Sequence, residues 1–129
     1  MKTYHNKIPA YLPSIVVVGL LYYFTLTPQP IPPMDLPDIG FDKIVHVVMM
    51  VGVYLTFAFD YLRQKRQLLL SLSVKLWLLV ITIAIGGAIE LAQGTELINR
   101  GCDLYDFMAD SVGSVVATII APSVMRRLL

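Results

Sequence analysis

Residues 76–93 read Leu76-Trp77-Leu78-Leu79-Val80-Ile81-Thr82-Ile83-Ala84-Ile85-Gly86-Gly87-Ala88-Ile89-Glu90-Leu91-Ala92-Gln93, an apolar run with one charge, placed three residues before its end. A helix spanning a hydrocarbon core of about 30 Å needs roughly 20 consecutive apolar residues. Extended from Val74, this stretch meets that length. A soluble buried helix has no reason to be apolar on every face for five turns, so the run reads as a transmembrane helix. Backbone polar groups in lipid must be paired within the segment, which leaves a helix as the only sensible conformation for so long a run.

Three more segments read the same way. The first extends from about residue 8 to 26, the second from about 43 to 61, and the fourth from about 104 to 124, alongside the one at 74–93. Lys2 and Lys7 before the first segment resemble the start of a signal peptide. No small-residue cleavage site follows Leu26, so the segment is expected to remain as an anchor. Lys75 is expected near a helix end, where its long stem reaches the headgroups, with 68–73 at the interface. Composition agrees: 57% of the 129 residues are hydrophobic and 15% are charged, and mean hydropathy is +0.70, against about 25% charged residues in ordinary soluble domains. The expected fold is all-α, a single integral membrane four-helix bundle over 1–129. Long uninterrupted runs exclude a transmembrane β-barrel, which needs many alternating segments of about ten residues. Pro28-Gln29-Pro30-Ile31-Pro32-Pro33 is a helix-breaking connection after the first span.

Charge gives orientation. Lys2, Lys7, Arg63, Lys65, Arg66, Lys75, Arg126 and Arg127, eight of the ten basic residues, fall on one side of this up-down arrangement. Lysine and arginine favour cytoplasmic loops, so both termini are expected in the cytoplasm. A net charge of +1 offers no basic field for nucleic acid, and none is expected as a partner. The single cysteine, Cys102, excludes an internal disulfide framework. Trp77, Tyr22 and Tyr23 read as packing or interfacial side chains.

The remaining polar residues gather at the other end. Lys43 and His46 open the second helix, Glu90 and Gln93 close the third, Asp106 and Asp110 open the fourth, and Arg100 lies in the loop between the last two. Topology therefore sets these groups at one depth. Residues three or four apart share a helix face. Lys43, His46 and Met50 make one stripe, and Glu90 and Gln93 lie one turn beyond Gly86 and Gly87. Asp103, Asp106, Asp110, Gly113 and Ala117 make another. Gly113 and Ala117 form a small-xxx-small pair, the kind that lets membrane helices approach closely. The polar stripes thus face the bundle, as ligand-pocket candidates Lys43, His46, Glu90, Gln93, Arg100, Asp106 and Asp110 with Gly86, Gly87, Gly113 and Ala117 packing beside them. Ionisable residues within a membrane are costly and default to a functional reading; structural ion pairing is the plain alternative.

The ordered polar set resembles the VanZ-like family of small membrane proteins. Asp42-Lys43-Ile44-Val45-His46 looks like its DKxxH opening. Glu90-Leu91-Ala92-Gln93, then Arg100, Asp106, Asp110 and Gly113, looks like its second signature. The likeness covers about residues 41–121. Met50 stands where the family usually has tyrosine, and Asp110 where it usually has asparagine. The resemblance implies a bacterial cytoplasmic-membrane location and an association with resistance to the glycopeptide teicoplanin.

Three functional classes follow. The leading expectation is a non-catalytic envelope protein whose outward pocket engages membrane lipid or a lipid-linked cell-wall molecule. Arg100 and Lys43 would hold a phosphate or carboxylate, the first as a fork and the second as a point charge. The second is an enzyme modifying a cell-wall lipid, with His46 as acid or base and Glu90 or Asp110 as its partner. The third is a small transporter or a structural membrane protein; inverted repeats and broken helices, common in transporters, are not evident. No cofactor is expected. A divalent metal at His46, Glu90, Asp106 and Asp110 is chemically conceivable, but the HExxH pattern is absent.

Overall fold

The structure is a computed structural model that describes residues 7–26, 41–95 and 103–129, with backbone only at 41–42. Four helices are found among the described residues: α1 Leu12–Leu26, α2 Phe41–Lys65, α3 Leu72–Gln93 and α4 Leu104–Leu128. No strand occurs among the described residues. The stretches Lys43–Lys65, Leu72–Gln93 and Leu104–Leu128 are each long and apolar enough to cross a membrane. Apolar side chains on the outside of the bundle, including Ile15, Val48, Trp77, Leu91 and Ile119, are exposed, as lipid-facing positions are.

The first helix is shorter than its apolar run. Pro9 offers no backbone N–H, and Tyr11 takes the left-handed conformation at φ 58°, so regular helix starts only at Leu12. Its 15 residues span about 22 Å at 1.5 Å per residue, below the length of the hydrocarbon core. The second helix is longer than expected, by four residues at its C-terminus. It ends where Arg66 adopts φ 53°, with the Gln67 N–H bonded to Leu62 O at 3.0 Å and the Arg66 N–H to Arg63 O at 3.3 Å. That is a Schellman ending with arginine where glycine is usual. The third starts at Ser71, whose hydroxyl accepts from Val74 N at 3.3 Å. The fourth starts at Asp103, whose carboxylate accepts from Tyr105 N at 2.8 Å; it runs past Pro122 to Leu128, four residues beyond the expected end.

Side-chain links fix the arrangement as alternately up and down. Ser14 near the start of α1 meets Asp60 near the end of α2. The Tyr54 hydroxyl donates to Lys75 O at the start of α3, and Gln93 at the end of α3 meets Thr25 at the end of α1. The most extensive helix contact joins α2 to α4. Its main core is Tyr54, Ala58, Leu62, Leu78, Ala117, Ala121 and Met125, toward the end carrying Arg63 and Arg126; a smaller core of Leu21, Val53 and Ile89 seats α1.

Candidate functional site

The close approach of α2 and α4 has a specific cause. A Cβ on Gly113 would sit 2.5 Å from Val47 O and 3.0 Å from Val47 Cα, so only glycine lets the two backbones touch there. Ala117, one turn on, is fully buried. Between α3 and α4, a Cβ on Gly86 would lie 2.9 Å from Asp110 Cβ, and one on Gly87 3.2 Å from the Phe107 ring. Missing Cβ atoms on α3 therefore make room for the side chains that α4 directs inward.

With the backbones this close, the polar stripes meet. Lys43 Nζ donates to Asp103 at 2.9 Å and to Asp106. His46 Nδ1 lies 2.8 Å from Asp110 Oδ1, and Nε2 lies 3.6 Å from Asp106 Oδ2. Asp110 is 2% exposed. Glu90, 3% exposed, accepts the Asp103 backbone N–H on Oε2 at 3.0 Å. Its other oxygen, Oε1, is buried without a hydrogen-bond partner.

Six of the seven ligand-pocket candidates thus have described positions, and five converge: Lys43, His46, Glu90, Asp106 and Asp110. Gln93 departs from the cluster. Its amide donates to Thr25 O at 2.7 Å, tying α3 to α1. Arg100 lies outside the described residues, as do Cys102, the 28–33 connection and the side chain of Asp42.

Asp103 does more than its place at the end of a stripe suggests. It caps α4, binds Lys43 through its side chain, and binds Glu90 through its backbone N–H. Aspartate is a favoured residue at a helix N-cap, but the sequence carries no signal for the backbone bond. The hydrogen bond from Lys43, then that from the Tyr105 N–H, holds the Asp103 carboxyl below the usual carboxylate range. A depressed acid stabilises the fold fully above its ordinary value and loses that effect as pH falls through the depressed one. Acidification below about pH 4 is therefore expected to loosen the α2–α4 end, and Asp103→Asn to remove that part of the melting-temperature profile.

A second polar cluster lies at the opposite end. Asp60 is fully buried and accepts from Ser14 N at 2.8 Å, Ser14 Oγ at 2.6 Å and Arg63 at 3.0 Å. Arg63 also donates to Ile8 O and Pro9 O and sits over the Phe59 ring. Asp60 satisfies an N-terminal amide of α1 in the way a cap does. The sequence held one clue, since Asp60 is the only acidic residue on the basic side and stands three residues before Arg63.

Comparisons with protein-family models, with curated proteins and with solved structures found no match. The class defined by the fold is therefore a helical bundle with three helices long and apolar enough to cross a membrane, carrying a partly buried carboxylate–imidazole–ammonium cluster near one end.

Proposed function

We propose that this chain is a multi-pass protein of a bacterial cytoplasmic membrane, as its VanZ-like resemblance implies, and that its polar cluster engages the head of a lipid-linked cell-wall molecule. The observation that carries this reading is the convergence of Lys43, His46, Glu90, Asp106 and Asp110 from three helices. All five lie in segments apolar enough to cross a membrane, where ionisable groups are retained at a cost. The basic residues at 63, 65, 66, 126 and 127 support cytoplasmic termini, which turns the cluster toward the outer leaflet. The opposite half is filled by Tyr54, Leu62, Leu78 and Met125, which supports a site open to one side over a transport path.

Lys43 supplies a point charge for a phosphate or carboxylate, and the carboxylates accept from hydroxyl groups. The test is teicoplanin susceptibility of a Gram-positive host expressing the protein. Resistance is expected to rise, and Glu90→Gln at matched membrane abundance is expected to return it to the host's level. Unchanged susceptibility in the wild type removes the glycopeptide role. Resistance surviving in Glu90→Gln removes the cluster from it.

One contact favours a catalytic reading as the runner-up. The His46 imidazole, oriented by Asp110 at 2.8 Å, has the arrangement of a general base with its positioning carboxylate. Turnover of an added polyprenyl-phosphate substrate, lost in His46→Gln, would favour it.

A further inference from the structure

The unpartnered oxygen on Glu90 calls for a donor. A buried acceptor left without one destabilises the fold, and Glu90 Oε1 has none among the described residues. The neighbouring charges sharpen the need. Lys43 is engaged by Asp103 and Asp106, and among the described residues Glu90 and Asp110 both face the imidazole of His46. Two carboxylates, each less than 4% exposed, face one histidine inside segments apolar enough for a membrane.

One His46 nitrogen and one carboxylate oxygen from each of Glu90 and Asp110 all lie within 4.8 Å of one another. Ligands at tetrahedral angles around one zinc stand about 3.4 Å apart for bonds of about 2.1 Å. Movements of flexible side chains by up to about 1.4 Å bring a pair 4.8 Å apart to that spacing. We propose that His46, Glu90 and Asp110 bind a divalent first-row transition-metal ion, of which zinc is representative.

The donor set selects the ion. One imidazole and two carboxylates suit zinc and its first-row neighbours. Calcium takes six to eight oxygen ligands, and magnesium keeps most of its waters. Three protein ligands leave a coordination position open, as in zinc sites that act on a bound molecule. An outer layer is already built: Asp103 N–H holds Glu90, and Gly86 leaves the room that Asp110 occupies. Such partners orient ligands and raise affinity. Asp106 belongs to that layer, engaged with Lys43 and 3.6 Å from His46 Nε2. The site lies within two turns of the helix ends, and the His46 side chain is 12% exposed, which gives an ion a way in.

This inference uses the same cluster as the proposed function but stands on its geometry alone, and its test needs no susceptibility assay. The full chain, purified in detergent and stripped with a chelator, is titrated with Zn2+ by calorimetry, and metal content is measured after gel filtration. One retained zinc per chain is expected. Glu90→Gln and His46→Gln are each expected to weaken binding by more than about 100-fold, beyond the 10–100-fold typical of outer partners. The double variant His5→Ala, Cys102→Ser, which removes the other histidine and the thiol, is expected to bind as the wild type does. No uptake by the wild type overturns the proposal and leaves protonation as the answer to Glu90. Uptake that persists in Glu90→Gln and His46→Gln, or disappears in the double variant, overturns it as well. If the ligand variants fail to fold, the visible spectrum of Co2+ bound to the wild type decides. Ligand-field bands without thiolate charge transfer support the site, and thiolate charge transfer or no bands at all overturns it.

Discussion

Gly113→Leu is expected to abolish the packed bundle, and Gly113→Ala to lower its stability by about 1 kcal/mol. The alanine methyl would sit 2.5 Å from Val47 O and 3.1 Å from Met50 Cβ. The first of these is backbone, which cannot swing aside, so one helix must shift. Overpacking of this kind costs about 1–3 kcal/mol, more than the roughly 0.5–1 kcal/mol that alanine gains over glycine in a helix. Gly52 is the control. A Cβ there meets nothing within 4 Å, so Gly52→Ala is expected to be neutral or slightly stabilising. Thermal unfolding in matched micelles measures both. Equal melting temperatures for wild type and Gly113→Ala would refute the close approach on which the cluster depends.

Asp60→Ala is expected to cost about 3–5 kcal/mol, the range for removing one partner of a buried ion pair. It would leave the Arg63 guanidinium, 5% exposed, without its carboxylate, and the start of α1 without its acceptor. The double replacement Asp60→Leu, Arg63→Leu should be less damaging than Asp60→Ala, because neither charge of the pair then stays buried. A double-mutant cycle on unfolding free energies reads this coupling. Additive losses would show that the two side chains act independently. Protease cleavage near residues 7–11 reports on α1 separately, and it should accelerate in Asp60→Ala before the other helices melt.

The sequence carried the three long helices clearly, because 43–61, 74–93 and 104–124 are apolar over lengths that only a helix satisfies in lipid. It misplaced their ends for physical reasons. Arg63-Gln64-Lys65 reads as a basic loop, yet Arg63 turns back onto Asp60 and the carbonyls of Ile8 and Pro9. The helix then stops at Arg66, which has none of glycine's signature for a left-handed ending. At the first helix, hydropathy counted Ile8 to Tyr11 as helical, while the backbone at Tyr11 forbids it. The cluster was legible wherever spacing and topology agreed, as for Lys43, His46, Glu90, Asp106 and Asp110. Gln93 shares the spacing of Glu90 but turns to α1, a choice made by a backbone carbonyl that no side-chain pattern reveals. The bond from Asp103 N–H to Glu90 was hidden for the same reason.

The pairing of α2 with α4 also dictates an order of birth. His46 and Lys43 find their partners 60 to 64 residues later in the chain. When α2 enters the bilayer during synthesis, the helix that completes its charges does not yet exist. When α4 follows, it brings Asp106 and Asp110, which make it the least willing of the long helices to insert alone. Each helix thus lacks these charge partners until it meets the other. A chain interrupted before Asp103 would leave Lys43 and His46 without Asp103, Asp106 and Asp110, and only Glu90 of the described cluster would remain to face the imidazole.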